Sequence, residues 1–247
     1  MNSLLWITAP YVAFTSFVLG HVWRYRTDQF GWTTRSSQIY ESRLLRLGSP
    51  LFHFGLLGVF GGHVVGLLIP ESWTSVVGIS EWVYHLMAVT MGSLAGSAVV
   101  VGLAILLYRR ITVAAVRKAT TRTDKLMYLL LVGALVTGML NTLTNVFAAY
   151  NYRDTVSPWF RSLFSLHPAP ELMANTPWTF QVHALIVLAL LAIWPYTRLV
   201  HMFSAPVGYL LRPYVVYRSR DPQKSPANRY AKAWVSPEAP PARSRWA

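Results

Sequence analysis

The sequence of 247 residues contains no cysteine. Without cysteine the chain forms no disulfide bond, binds no iron–sulfur cluster through thiolates, attaches no c-type haem and has no thiol nucleophile. Any metal or redox chemistry of this chain must therefore use other ligands.

Charged residues are scarce as well, at 13% of the chain, whereas apolar residues make up 53% and the mean hydropathy is +0.36. This is too little polar side chain to cover a soluble globule of this length. The composition therefore predicts an integral membrane protein.

Five apolar runs are long enough to cross a bilayer as α-helices, which takes about 20 residues. They lack the alternation of polar and apolar residues that a transmembrane β-barrel needs. The sequence therefore predicts an all-α membrane protein with five transmembrane helices. The predicted runs cover residues 4–23, 51–69, 85–108, 126–150 and 180–203.

The basic residues lie almost entirely in alternate connections, which predicts the orientation. Of the 22 lysines and arginines, 20 fall in residues 24–50, 109–125 and 198–247. By the positive-inside rule these segments face the cytoplasm, so the N-terminus lies outside and the C-terminus inside. Membrane orientation thus explains the net charge of +13 without a nucleic-acid ligand. Residues 1–220 form the predicted membrane domain, and residues 221–247 a basic, proline-rich cytoplasmic tail that is disordered or ordered by a partner.

Four of the seven histidines lie well inside apolar runs two and five, where an ionisable side chain is a candidate functional group by default. Runs two and five cross in opposite directions, so His53 and His201 share the cytoplasmic level while His63 and His183 share the outer level. Two facing histidines suit the axial positions of a b-type haem, which predicts two haems across the membrane. Isolated, hydrogen-bonded histidines and a metal cage remain alternatives, the cage disfavoured because the runs offer no carboxylate or thiolate ligands.

The spacing of these histidines differs between the two runs, which does not fit two facing pairs on straight helices. At ~1.5 Å per residue, His53 and His63, which are ten residues apart, lie about 15 Å apart along a helix. His183 and His201, which are eighteen residues apart, lie about 27 Å apart. Helix tilt together with a kink at Pro195 would reconcile the two distances. Gly61 and Gly62 beside His63 leave room for a flat macrocycle, and His85 with Tyr84 lies close to His63 in depth.

Four segments carry a resemblance to a known family: RYRTDQFGWTTRSSQ, SPLFHFGLLGVFGGHVVGLLIPESW, YRRITVAAVRKATTRTD and FQVHALIVLALLAIWPYTRLVHMFSAPVGYLLRPYVVYRSR. The sequence resembles the gamma subunits of membrane-bound respiratory nitrate reductases, which are five-helix dihaem cytochromes b that oxidise quinol. The resemblance implies that His53 and His201 ligate an inner haem b, and His63 and His183 an outer one.

The resemblance further implies a cell inner (plasma) membrane location and two cytoplasmic partners, an iron–sulfur beta subunit and a molybdenum alpha subunit. Some members carry a quinol-site lysine near the start of the third helix; here Tyr84 and His85 are the candidates for that contact. Three arginines at the inner helix ends are candidates to pair with haem propionates, although anchoring by the positive-inside rule explains them equally well: Arg109, Arg110 and Arg198.

Two other functions remain open from the sequence. One is a related cytochrome b that anchors a different soluble reductase, and the other is a haem-free membrane anchor or transporter. A soluble partner is expected to dock on the cytoplasmic segments 32–38, 117–122 and 204–220, the last of which interleaves tyrosines with apolar residues.

Overall fold

The computed structural model describes residues 3–146 and 150–204. Regular structure in this part of the chain is entirely helical. It comprises nine α-helices: α1 (Ala9–Thr27), α2 (Arg43–His63), α3 (Glu71–Val76), α4 (Glu81–Thr112), α5 (Ala114–Lys118), α6 (Arg122–Thr144), α7 (Val156–Phe164), α8 (Pro170–Ala174) and α9 (Trp178–Ile193). Two π-helical turns, Leu4–Thr8 and Val64–Leu68, extend α1 and α2.

Five helical segments are long and apolar enough to cross a membrane, which confirms the predicted all-α, five-helix class. We number them as spans one to five: Leu4–Thr27, Arg43–Leu68, Glu81–Thr112, Arg122–Thr144 and Trp178–Tyr196. The predicted tail, residues 221–247, and the docking segment beyond Ser204 lie outside the described residues.

Span two begins before the apolar run that predicted it, at Arg43 rather than residue 51. The Glu41 carboxylate accepts the Leu44 amide at 2.8 Å. This hydrogen bond satisfies one of the unpaired amides of the first helical turn, so the helix starts in a polar segment that hydropathy alone does not mark.

Span four ends at Thr144, so the predicted end at residue 150 is wrong. Asn145 terminates the helix, and its side-chain oxygen accepts the amide of Tyr150 at 2.9 Å. That bond holds the Tyr150 amide beside the end of the helix, which a run of apolar residues does not reveal.

Spans two and three pack with their backbones in close contact. A Cβ atom added to Gly102 of α4 would lie 2.5 Å from the Phe52 nitrogen, and one added to Gly55 of α2 would lie 2.9 Å from the Ala95 oxygen. Small residues allow such approach in membrane helices, where packing rather than water drives association.

Replacing Gly102 with alanine should lower the free energy of unfolding by about 1–3 kcal/mol, because the new methyl group meets backbone that cannot rotate away. Denaturant unfolding in detergent micelles measures the change. Gly92→Ala in the same helix is the matched control, since its Cβ would lie 3.8 Å from Thr142 in ordinary contact. Equal stabilities of the two variants would contradict the close packing.

The buried core joins spans two to five. Its buried members are Phe52, Val99, Leu103, Met127, Leu131 and Leu190. A second cluster packs the connection α7–α8 against the start of span one, where the Trp159 indole donates to the Trp6 carbonyl at 2.9 Å. We refer to this end of the bundle as the α7 end and to the opposite end as the α5 end.

Span five is not one continuous helix. α9 ends at Ile193, a 3₁₀ turn follows at Trp194–Tyr196, Thr197 is extended, and a second 3₁₀ segment covers Arg198–Ser204. Pro195 has no amide hydrogen and its ring obstructs the preceding turn, which breaks the helix there. The break at Pro195 is thus present, whereas the predicted end of span five at residue 203 is wrong. The spacing calculated along a straight helix therefore does not apply to the distance between His183 and His201.

Candidate functional site

The structure brings the four intramembrane histidines together in two facing pairs. The ring centres of His53 and His201 lie 6.1 Å apart with planes at 68°. Those of His63 and His183 also lie 6.1 Å apart, with planes at 32°. The pair His63–His183 joins span two to span five. The pair His53–His201 joins span two to the segment directly after span five.

This separation fits one metal ion between each pair of rings. A metal–nitrogen bond is about 2 Å long, and a ring nitrogen lies about 1 Å from the centre of its ring. Two imidazoles on opposite sides of one metal ion therefore have ring centres ~6 Å apart. A Cβ atom added to Gly61 or Gly62 would meet nothing within 4 Å, so these glycines leave space beside His63. The residues present therefore fit a haem between each pair, and their role as ligands remains a prediction.

The ring orientation of three histidines is set by backbone carbonyls. A carbonyl only accepts, so the Nδ1 atom facing it carries the hydrogen and Nε2 is left as the unprotonated nitrogen. Ligating histidines are held in this way in metal proteins. The Nδ1–H groups donate to the preceding turn: His53 to Ser49 at 2.7 Å, His63 to Val59 at 2.8 Å and His201 to Arg198 at 2.6 Å.

The segment that carries His201 is tied to span four by an ion pair between the partly buried Arg198 and the buried Asp124. Arg198 donates from Nε and Nη2 to the two carboxylate oxygens of Asp124, at 2.8 and 2.6 Å. Burial opposes charge on Arg198, but the hydrogen bonds to Asp124 outweigh it and raise the pKa of the guanidinium. Asp124 also closes a capping box with Thr121 at the start of α6, so the pair anchors the 3₁₀ segment to a helix end.

A buried arginine caps the break in span five. Arg24 of span one donates from Nη1 to the carbonyls of Pro195 and Thr197, at 2.6 and 2.8 Å, and from Nη2 to the Gly31 carbonyl at 2.8 Å. Carbonyls freed by the break are thus satisfied inside the protein, which buried backbone requires.

The three predicted propionate partners lie at the α5 end, as expected from the sequence. Arg109 donates from Nε to Glu41 at 2.5 Å, and Arg198 pairs with a carboxylate as described above. Arg110 stacks over the Tyr128 ring at 5.2 Å. Within residues 3–146 and 150–204, Arg110 is the one of the three without a carboxylate partner, and the propionate role of all three stays a prediction.

Tyr84 belongs to a polar cluster at the α7 end. Its hydroxyl is hydrogen-bonded to that of Tyr152 at 2.8 Å, and the Arg153 guanidinium lies 3.9 Å from the centre of its ring. Arg153 also pairs with Glu81 at 2.6 Å. Burial raises the pKa of Tyr152, and the hydrogen bond to Tyr84 raises it further, so the Tyr152 hydroxyl stays neutral.

The two predicted quinol-site residues face different neighbours. The Tyr84 hydroxyl lies beside Gly66, in the turn after His63, because a Cβ atom there would approach it to 3.2 Å. His85 instead places its Nε2 3.3 Å from the Val146 carbonyl at the end of span four. Consecutive helical residues differ by about 100° in direction, which separates the two side chains.

The connection between spans four and five caps the end of span two, a feature that the sequence analysis missed. Arginines at a helix C-terminus satisfy free carbonyls and favour the helix dipole. Two arginines in an otherwise acidic connection were the available signal. The contacts are Arg153 Nη2 to Ile69 O at 3.4 Å, Ser157 Oγ to Gly66 O at 2.8 Å and Arg161 Nη1 to Leu67 O at 3.0 Å.

Comparison with known proteins gives consistent matches over most of the chain. A model described as nitrate reductase gamma subunit matches residues 2–220. The nitrate reductase gamma chain of Bacillus subtilis is 46% identical over 220 residues, which cover 89% of this chain and 99% of that protein. The respiratory nitrate reductase 2 gamma chain of Escherichia coli is 32% identical over 226 residues, covering 89% and 98%.

A longer relative matches the same region. The nitrate reductase-like protein NarX of Mycobacterium tuberculosis (strain H37Rv) is 56% identical over 224 residues, which cover 90% of this chain but 34% of that protein. The chain thus spans about a third of the length of this relative.

Proposed function

Because the chain belongs to the nitrate reductase gamma subunit family, we propose that it is a dihaem cytochrome b that oxidises quinol and passes the electrons to soluble subunits of a nitrate reductase. It is a multi-pass protein of the inner membrane. The proposed partners are an iron–sulfur beta subunit and a molybdenum alpha subunit, and nitrate is reduced on a partner rather than on this chain.

One observation carries the proposal: two pairs of histidine rings, each 6.1 Å apart, lie at two levels of the bundle. His53 and His201 would hold one haem at the α5 end, and His63 and His183 the other towards the α7 end. Once bound, each haem b supplies a one-electron carrier. Hydrogen bonds at Nδ1 keep the imidazoles in the orientation and tautomer that ligation requires.

The orientation of the chain follows from its charges. The α5 end contains the basic connections of residues 24–50 and 109–125, whereas the connections 70–84 and 151–179 at the α7 end hold two arginines and four acids. We therefore assign the α5 end and the C-terminus to the cytoplasm and the N-terminus to the outer side.

Quinol oxidation would take place near the outer haem. A quinol loses two electrons and two protons when it becomes a quinone, so its site needs an apolar approach and a group that receives a hydrogen bond. The Tyr84 hydroxyl, joined to Tyr152 beside Gly66, can accept a hydrogen bond from the quinol and lead the proton to the α7 end. His85 is the second candidate base, facing the end of span four.

Anaerobic mixing of the purified chain with a quinol analogue tests the proposal, with absorbance following haem reduction. We expect quinol-dependent reduction of both haems. A haem-free anchor or transporter would purify without a Soret band, and that result would refute the proposal.

Tyr84→Phe should slow this reduction by about 10²-fold while both haems stay bound, because positioned acid–base groups contribute that much or more. Tyr11→Phe is the matched control, since that hydroxyl donates to the Leu163 carbonyl at 2.9 Å in a connection away from span three. Unchanged kinetics in the double variant Tyr84→Phe/His85→Ala would move the quinol site elsewhere.

The partner should dock on the connection between spans one and two, where large apolar side chains face water at the cytoplasmic end. Phe30 is 96% exposed and Ile39 95% exposed, and both lie outside the spans. Apolar surface of this kind outside the membrane marks protein interfaces. The predicted docking segment 32–38 lies between these two residues.

Phe30→Ser/Ile39→Ser should therefore weaken binding of the soluble subunits by about tenfold or more, since truncated interface anchors typically cost over 1 kcal/mol each. The measurement is the fraction of those subunits that stays on washed membranes. Val76→Ser, at an 86% exposed position on the α7 end, should leave retention unchanged. Full retention in the double variant would place the docking surface elsewhere.

A further inference from the structure

His183 is oriented by a side chain of another helix. The Thr137 hydroxyl of α6 lies 3.0 Å from His183 Nδ1 and 2.7 Å from the Gly133 carbonyl. A carbonyl only accepts, so the hydroxyl donates its hydrogen to Gly133 and its oxygen accepts from His183 Nδ1–H. The Nε2 atom of His183 is then the unprotonated nitrogen, which is the one available to a metal ion.

The preceding turn of α9 does not take this role for His183 as the preceding turns do for the other three histidines. The carbonyl four residues before His183 belongs to Thr179, and it accepts from the Asn141 side-chain amide at 3.4 Å. The ring lies instead against Gly138 of α6, where an added Cβ atom would come within 3.0 Å of its Cε1 atom. Span four therefore provides both the hydrogen-bond partner and the space for this ring.

We propose that Thr137 is a positioning residue that fixes the tautomer of His183 and the basicity of its Nε2, and thereby sets the reduction potential of the outer haem. The proposal rests on the proposed function, because it takes His183 as a haem ligand. A hydrogen bond accepted from Nδ1–H makes the ligating nitrogen more basic. A more basic ligating nitrogen stabilises the ferric ion. Loss of the hydrogen bond from Nδ1–H therefore favours the ferrous ion and raises the reduction potential of the haem.

Potentiometric titration of the purified full-length chain, followed by haem absorbance, tests this proposal. In Thr137→Val, which keeps the shape and removes the hydroxyl, we expect one of the two midpoints to rise by about 59 mV, equivalent to tenfold in a one-electron equilibrium. The other midpoint should not move. Thr137→Ser keeps the hydroxyl and should restore the original value.

Thr142→Val is the matched control in the same helix, because the Thr142 hydroxyl donates to the Gly138 carbonyl at 3.1 Å and the structure gives it no histidine partner among the described residues. Both midpoints should stay unchanged there. Loss of the outer haem from Thr137→Val but not from Thr137→Ser also supports the proposal.

Unchanged midpoints in Thr137→Val, or loss of the outer haem from both Thr137 variants, would overturn it. Haem content of the wild-type chain separates this failure from that of the proposed function. A wild-type chain without haem refutes the function itself, whereas two haems with an unmoved potential refute only the role of Thr137.

Discussion

Replacing His63 or His183 with alanine should remove one and the same proposed haem, and replacing His53 or His201 should remove the other. Each haem would be held by two imidazoles whose ring centres lie 6.1 Å apart, so the loss of either ligand opens that site alone. Pyridine haemochromogen analysis of each purified variant should show about half of the wild-type haem content. Optical spectra should show the same missing component within each pair.

His167→Ala is the matched control for these variants. His167 is exposed and donates from Nδ1 to the Ser165 carbonyl at 2.7 Å, the same kind of bond, but it has no facing histidine among the described residues. Its replacement should leave both haems in place. If His53 and His183 variants lost the same component, the pairing by depth would be wrong.

Replacing Asp124 with alanine should lower the free energy of unfolding by about 3–5 kcal/mol, because it leaves the Arg198 guanidinium buried without its counter-charge. Asp124 is 0% exposed and receives two hydrogen bonds from Arg198. The 3₁₀ segment that carries His201 would lose its anchor to α6, so the inner haem should dissociate first on heating in detergent.

The double variant Asp124→Leu/Arg198→Met provides the comparison. Replacing both members of a buried ion pair with apolar residues is often neutral, whereas breaking it is costly. We therefore expect the double variant to be more stable than Asp124→Ala. Equal stability of Asp124→Ala and the wild type would show that the pair does not anchor this segment.

The spans and the histidine pairs were accessible from the sequence because both depend on position along a helix. Apolar runs of spanning length mark the five helices, and opposite directions of spans two and five place His53 with His201 and His63 with His183. These inferences need only the depth of each residue in the membrane, and that depth changes by a constant rise per residue along a helix.

The partners of the arginines were not accessible, because they depend on how helices are rotated and how connections fold back. Arg109 meets Glu41 and Arg198 meets Asp124 across large sequence separations. The contact of Thr137 with His183 likewise requires two spans to face each other at one level, which composition and spacing do not encode.

Helix ends were predicted less well than helices for a related reason. Hydropathy marks the apolar part of a helix, whereas the ends are set by hydrogen bonds of polar side chains such as Glu41 at the start of span two and Asn145 at the end of span four. The break at Pro195 was predictable, since proline cannot continue the hydrogen bonding of a helix.

The most direct test of the account is the haem content of the purified wild-type chain, measured together with reduction by a quinol analogue under anaerobic conditions. The account predicts two haems b per chain, both reduced by the quinol. A chain that holds one haem or none, or two haems that a quinol does not reduce, would contradict it.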